Sequence, residues 1–82
     1  GHIMEVSLYV SSLPDDATAA NLAEQFEPFG RLTQKVVLRK KAGLLFGFVN
    51  LWVESEEEVE KCIAALHNSL WRGQRMRVER AK

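Results

Sequence analysis

The chain alternates short apolar–polar runs with two stretches of helical spacing. Val6 to Val10 alternates with period two and predicts a strand, closed by the turn-rich stretch Ser11 to Asp16. Thr18 fits an N-cap, and Leu22 and Phe26 recur at i, i+4 with Phe29 one turn on. A helix is therefore expected over Ala19 to Phe29, with Gly30 at the C′ position just past its end. Arg31 to Arg39 contains Val36, Val37 and Leu38 and reads as a second strand, followed by a loop over Lys40 to Gly43. Leu44 to Val53 is the strongest strand, with two aromatics two apart and no charge. Ser55 to Glu58 has the S-x-x-E form of a capping box and opens a second helix. Val59, Cys62, Ile63 and Leu66 share one side of that helix, with acids on the other. His67 to Ser69 ends it, Leu70 to Gly73 connects, and Arg75 to Arg80 alternates as a last strand.

The order is βαββαβ. It predicts an α+β fold in which two helices cover one face of a four-stranded antiparallel sheet and leave the other to solvent. Strand residues alternate faces, so Val6, Leu8 and Val10 take the core side and Tyr9 the open side. On the strongest strand Gly47, Val49 and Leu51 share the core parity, with Gly47 leaving room for a helix to pack close. Phe46, Phe48 and Asn50 then face solvent. Trp52 has the parity of Phe48 but sits at the strand's end, where a bulge can reverse it, so both placements stay open. Two registers also stay open for the second strand. Either Val36 and Leu38 face the core, which puts Lys35 and Arg39 on the open side, or Val37 does. Aromatic rings on a solvated sheet face normally have a partner, and unpaired bases stack on such a surface at about 1–3 kcal/mol each.

Length changes the picture only by limiting it: 82 residues allow one domain. Gly1 to Met4 reads as an expression-tag remnant joined to a start methionine, and the domain is set at residues 5–82. With 46% hydrophobic residues the chain is not a disordered tail. One cysteine, Cys62, rules out an internal disulfide and a Cys-rich zinc site, and His2 and His67 are too far apart in sequence to suggest a metal cluster. No metal and no cofactor are expected. No apolar run approaches a membrane span.

Net charge is zero, with 11 basic and 11 acidic residues, but the charges are sorted by segment. Residues up to Gly30 carry only acids, and Arg31 to Val53 only bases: Arg31, Lys35, Arg39, Lys40 and Lys41. Glu54 to Lys61 holds five glutamates against one lysine, which reads as a solvated helix face or a docking surface for a basic partner. Arg72, Arg75, Arg77, Arg80 and Lys82 stand against Glu79 at the C-terminal end. The acids fall on the helices and first loop behind the sheet, the bases on the strands and loops that border the open face. Trp71 reads as a packing residue, Cys62 as a small core residue, and His67 as a helix-end residue.

These residues resemble the RNA recognition motif (RRM) family. Leu8-Tyr9-Val10-Ser11-Ser12-Leu13 matches the family's first motif, and Phe46-Gly47-Phe48-Val49-Asn50-Leu51 matches six of the eight positions of the second. The resemblance covers Val6 to Lys82, including Leu22, Phe26, Phe29 and Gly30 of the first helix and Gly73, Met76, Val78 and Ala81 at the end. It implies the ferredoxin-like arrangement and a single-stranded RNA ligand. Tyr9 and Phe48 would each stack a base, and Phe46 would pack against sugars between them. Asn50 would read a base edge, and Lys35, Arg39, Lys40, Lys41, Arg75, Arg77, Arg80 and Lys82 would meet phosphate. Leu44 and Leu45 replace the Lys/Arg–Gly that normally opens the second motif, and Ser12 replaces the usual Asn or Gly of the first. Lys61-Cys62, Leu66, Trp71 to Gly73, Val78 and Ala81-Lys82 are similar to RRMs of nucleolar proteins, which implies a nuclear or nucleolar setting, with a cytoplasmic one as the alternative.

A protein-interaction domain on the same scaffold is the competing reading. It is motivated by the zero net charge, Leu44 and Leu45, and the acidic second helix. A monomer is expected, with self-association through the apolar sheet face as its alternative. An enzyme is not expected, because the chain has no Ser/His/Asp, Cys/His or metal-spaced constellation and no Gly-rich phosphate cradle.

Overall fold

A computed structural model describes residues 3–82. Gly1 and His2, half of the expected tag remnant, lie outside the described residues. In chain order the elements are β1 (Met4–Ser11), α1 (Ala19–Phe26), a 3-10 turn (Glu27–Phe29), β2 (Arg31–Leu32), β3 (Val37–Lys41), β4 (Leu44–Val53), α2 (Glu56–Leu66), β5 (Leu70–Trp71), β6 (Gln74–Arg75) and β7 (Arg77–Arg80). β1 begins at Met4, one residue before the expected boundary. Met4 pairs with Val53 and packs against the core.

The sheet is antiparallel and ordered β2/β3–β4–β1–β7. β2 and β3 lie end to end along one edge of β4, so they are the single expected second strand, interrupted. Four residues, Thr33 to Val36, stand where β4 offers only Val49 and Asn50, because Leu32 pairs with Leu51 and Val37 with Phe48. The extra length leaves the ladder as a bulge, which the apolar run alone did not reveal. Below it, the Val36/Leu38 register holds: Val36 is buried, Leu38 packs on the core, and Val37 is exposed. The expected loop over Lys40 to Gly43 is shorter. Lys40 and Lys41 extend β3, and Ala42 and Gly43 alone make the turn.

The two helices cover one face through Leu22, Phe26, Val59, Cys62 and Leu66, packed on Val6, Leu8, Val10, Val49, Leu51 and Val78 from the strands. Thr18 caps α1 and forms a full reciprocal box with Asn21. On α2, Ser55 Oγ accepts from the Glu58 N–H at 3.3 Å, which satisfies one orphan donor of the first turn. α1 stops at Phe26, three residues early, and Pro28 continues it as a 3-10 turn. Gly30 is extended there, not left-handed. Its lack of a side chain serves a close approach, since a Cβ would stand 2.5 Å from the Trp52 carbonyl oxygen. Gly47 likewise makes room, though against β3 more than a helix: a Cβ would meet the Leu38 side chain at 2.8 Å and the Val37 carbonyl at 2.9 Å, with Leu22 further off.

The outer edge of β7 is covered by the segment that ends α2. The Val78 N–H donates to His67 Nδ1 at 3.0 Å, and the Met76 N–H to the Ser69 carbonyl at 2.9 Å. His67 thus satisfies an edge-strand donor. Trp71 packs against the core beneath the Arg72 guanidinium. Cys62 is buried, and burial pushes its thiol up to about 11, so it stays a neutral core group.

Ser12 and Ala42 hold left-handed backbone, with φ of 56° and 52°. A Cβ disfavours that region, and Asn and Gly tolerate it better. Ser12→Asn and Ala42→Gly should therefore each stabilise the fold by about 0.5–1 kcal/mol, read as a raised urea midpoint at unchanged slope. A lowered midpoint in both variants would contradict the backbone argument.

Candidate nucleic-acid interface

The unbroken β1–β4 register fixes what lies on the open face. Tyr9 stands directly across from Phe48, and Val10 across from Gly47, so Tyr9 is flanked by both rings of the β4 pair. The Tyr9 ring centroid is 5.8 Å from that of Phe46 and 5.5 Å from that of Phe48, with tilted planes. Phe46 and Phe48 are 6.2 Å apart, edge to face. Edge-to-face and tilted contacts suit the ring quadrupoles and hold the cluster as a unit. Among the described residues no helix covers it: Phe48 is 37% exposed, and Tyr9 and Phe46 are half-buried. The sheet is single-sided because the core-parity residues of the same strands are buried almost completely.

Of the predicted cations, three share this face. Arg39 pairs with Phe46 across β3–β4, Lys41 with Leu44, and Arg77 with Ser11 across β7–β1. Lys41, Arg77, Tyr9, Phe46 and Leu44 line one groove at the β3–β4 turn end of the sheet. Asn50 lies on the face opposite Ser7, its carbonyl taken by the Thr33 N–H at 2.9 Å.

The other cations stand elsewhere. Lys40 pairs with Leu45 and has the parity opposite to Arg39, toward the helix side. Arg80 pairs with Leu8, a core-side position, and its guanidinium bonds the Glu56 carboxylate at the start of α2. Lys35 lies in the bulge and borders a groove with Ala19, Ala20 and Ala23 of α1, so it does not join Arg39 on the aromatic face. Arg75 belongs to the small β5–β6 hairpin rather than to the last sheet strand, and donates to the Asn68 carbonyl at 3.0 Å. The expected strand over Arg75 to Arg80 breaks at Met76, whose full burial turns the chain into the sheet. Lys82 is exposed past the end of β7.

The face holds further residues besides the rings and cations, Glu79 at its expected open-face parity among them. Glu79 is paired with Tyr9 and places a carboxylate beside the rings. Val37 and Leu44 are 49% and 72% exposed and widen the apolar surface toward β3 and the turn. Trp52 keeps the parity of Phe48, because β4 pairs with β1 without a bulge through Met4 opposite Val53. The signal for Leu44 and Trp52 was present as even-numbered alternation along β4, and only the pairing partner could decide it. Among the described residues, no group of three or more His, Cys, Asp or Glu side chains is placed to hold a metal ion, and no helix is long and apolar enough to cross a membrane.

A two-layer βαββαβ domain with aromatic rings on the bare sheet face, at the positions of both sequence motifs, defines an RRM. The profile of the RNA recognition motif family matches residues 8–77, and the chain belongs to that family. Domains of this family are RNA-binding modules, not enzymes. Among solved structures, the chain is similar to the third RRM of Pes4, with a TM-score of 0.74 at 25% identity over 93% of this chain and 90% of that one. It also resembles the second RRM of yeast poly(U)-binding protein Pub1, with a TM-score of 0.73 at 17% identity over 94% of each chain, a likeness of fold. Among curated proteins it is 29% identical over 80 residues to human Nucleolar protein 8, covering 92% of this chain and 7% of that protein. It is 38% identical over 76 residues to a probable arginine/serine-rich splicing factor 6 of Caenorhabditis elegans, covering 93% of this chain and 40% of that protein. A chloroplastic organelle RRM protein 6 of Arabidopsis thaliana is 38% identical over 79 residues, covering 95% of this chain and 44% of that protein. The chain thus spans less than half the length of these relatives, and their names come from different compartments.

Proposed function

We propose that this domain binds single-stranded RNA across its open sheet face and performs no chemistry on it. The observation that carries the reading is the uncovered triad of Tyr9, Phe46 and Phe48, with ring centroids 5.5 to 6.2 Å apart. Tyr9 and Phe48 each offer a ring to a base, and Phe46 lies beside both, where a sugar would pass. Arg39, Lys41 and Arg77 supply the phosphate contacts. Asn50 and Glu79 reach base edges, Glu79 accepting from exocyclic amino groups. Lys40 and Arg80 stand at core-side parity, Lys35 in the bulge and Arg75 on the hairpin, so that path does not use them, and Lys82 is an exposed charge next to Ala81, whose N–H bonds the Ser7 carbonyl. With few cations on the face, binding is weak without stacking and its salt slope shallow. A nuclear or nucleolar setting is supported by two of the relatives' names. The domain acts as a monomer in this reading.

The test is an NMR shift map with short homopolymer RNAs at low salt. Shifts centred on Tyr9, Phe46 and Phe48 support the proposal. No shifts, together with concentration-dependent self-association, favour a protein-interaction role for the apolar face.

The placement of the arginines gives a sharper contrast. Arg77→Ala should weaken RNA binding and flatten the salt dependence by about 0.7 in the log–log slope, the value for one phosphate on a single strand. Arg80→Ala should leave RNA affinity unchanged and cost no more than about 1 kcal/mol of stability, since it removes an exposed ion pair. Equal losses of RNA affinity in both variants would show that the parity assignment fails.

A further inference from the structure

The open face does not end at the triad. Its parity runs along β4 from Phe48 through Asn50 to Trp52, and the pairing with β1 is unbroken over that length, with Ser7 across from Asn50 and Glu5 across from Trp52. Trp52 is 42% exposed, whereas its strand neighbours Leu51 and Val53 are buried, so the ring is not part of the core. Among the described residues the aromatic contacts are confined to Tyr9, Phe46 and Phe48, and the cation–π contact to Arg72 over Trp71. The Trp52 indole therefore has no ring or guanidinium of its own protein stacked on it. Arg31 pairs with Trp52 across β2–β4 and shares the open face. Gly30 permits that pairing, because its bare backbone passes the Trp52 carbonyl where a Cβ would stand at 2.5 Å. Arg31 is exposed, and the ion pairs among the described residues join Lys61 to Glu57, Arg72 to Asp16 and Arg80 to Glu56, so none uses it. On the other flank the Thr33 hydroxyl reaches from beyond β2 and donates to the Glu5 carboxylate of β1 at 2.6 Å. Since β4 lies between those two strands, the carboxylate is held over it as a fixed acceptor.

A bare indole beside an unpaired guanidinium, on the face that carries the triad, has the two parts that a nucleotide meets: a π-surface for its base and a cation for its phosphate. We propose that the RNA path runs on along β4, so that Trp52 stacks a further base, Arg31 meets the adjoining phosphate, and one nucleotide bridges the gap over Ser7 and Asn50. This inference rests on the RNA reading of the triad and adds a second stacking point to it. The gap from Phe48 to Trp52 is four residues of one strand, about 14 Å at 3.4 Å each. Bases stacked directly on one another advance only about 3.4 Å, so the RNA is drawn out between the rings and its bridging base lies over polar side chains. Asn50 and the Thr33-held Glu5 carboxylate face that base, and the carboxylate accepts from an exocyclic amino group. The footprint is then about four nucleotides, two on Tyr9 and Phe48, one over the gap and one on Trp52.

The experiment titrates the domain with oligocytidylates of three and four nucleotides at low salt and follows the Trp52 indole N–H resonance. The proposal expects the fourth nucleotide to tighten binding by about fivefold or more, with a shift of that resonance as the tetranucleotide saturates. Trp52→Ala should remove the gain and leave trinucleotide affinity nearly unchanged. Trp52→Phe, which keeps a ring, should retain most of the gain, and Trp52→Leu, which keeps only apolar bulk, should lose it. Arg31→Ala should weaken tetranucleotide binding and flatten its log–log salt slope by about 0.7. Phe48→Ala should weaken both RNAs, so it reports on the triad and not on the extension. If Phe48→Ala weakens both RNAs while Trp52→Ala binds the tetranucleotide like the parent, the extension is overturned and the triad reading stands. If the parent binds neither RNA, both fall. A dimer in sedimentation that Trp52→Ala abolishes also overturns the extension, because the occupant of the ring is then a second copy.

Discussion

Phe48→Ala is expected to weaken single-stranded RNA binding by about 1–3 kcal/mol, roughly 5- to 150-fold in dissociation constant, measured by fluorescence titration. The effect is large because the ring is the most exposed of the triad, and so offers the most face to a base. The fold should survive. Phe48 touches Tyr9 and Phe46 on the solvent side of the sheet, and its strand neighbours Gly47 and Val49 stay buried on the other. Losing its contacts with Tyr9 and Phe46 costs about 0.5–1.5 kcal/mol each beyond the ring area they bury, without opening a cavity in the core. Tyr9→Ala should behave similarly. The double variant should not show the sum of the two losses, because each ring holds the other in place and sites in contact are not additive. Unchanged RNA affinity in Phe48→Ala would remove the stacking role and leave the aromatic face without its proposed ligand.

What could be read from residues alone divides along physical lines. β1 and β4 were legible because their apolar alternation is long and one face is buried, so a slip of one residue would turn every side chain over. The triad followed from that parity, and so did the helical faces built on Leu22, Phe26, Val59, Cys62 and Leu66. The cations were less legible. Charged side chains tolerate either face of a strand edge, so sequence proximity to the motif stood in for geometry. Lys40 differs from Arg39 and Lys41 only by one step of pleat, and Arg80 is drawn to the helix layer by Glu56. Lys35 was displaced by a bulge of polar residues, Thr33 to Lys35, that carries no hydrophobic period to betray it. Gly30 and Gly47 also illustrate the limit. Each stands out in the sequence, but the neighbour that demands the glycine, the Trp52 carbonyl for Gly30 and the Leu38 side chain and Val37 carbonyl across the β3–β4 hairpin for Gly47, follows from pairing that the residues alone do not specify.

The largest loss of stability is expected at Phe26, on the layer behind the aromatic face. It is the largest side chain with no exposure, at the last turn of α1. Phe26→Ala removes its transfer free energy and leaves a cavity that the sheet and α2 cannot both close, at a cost of about 3–5 kcal/mol. A domain of this size holds about 4–12 kcal/mol in total, at 0.05–0.15 kcal/mol per residue, so the variant sits near the threshold of folding. Urea denaturation should show the midpoint falling at a similar slope, and the thermal midpoint should drop by more than about 12 °C, at 4–8 °C per kcal/mol. RNA affinity of the remaining folded fraction should stay close to that of the parent, because the triad is fixed by the β1–β4 ladder rather than by the helix. The pair of variants therefore separates the two layers: Phe48→Ala loses ligand and keeps stability, and Phe26→Ala does the reverse. A loss below about 1 kcal/mol for Phe26→Ala would mean that α1 is not packed as a wall of this core, and the rigidity that presents the rings would need another source.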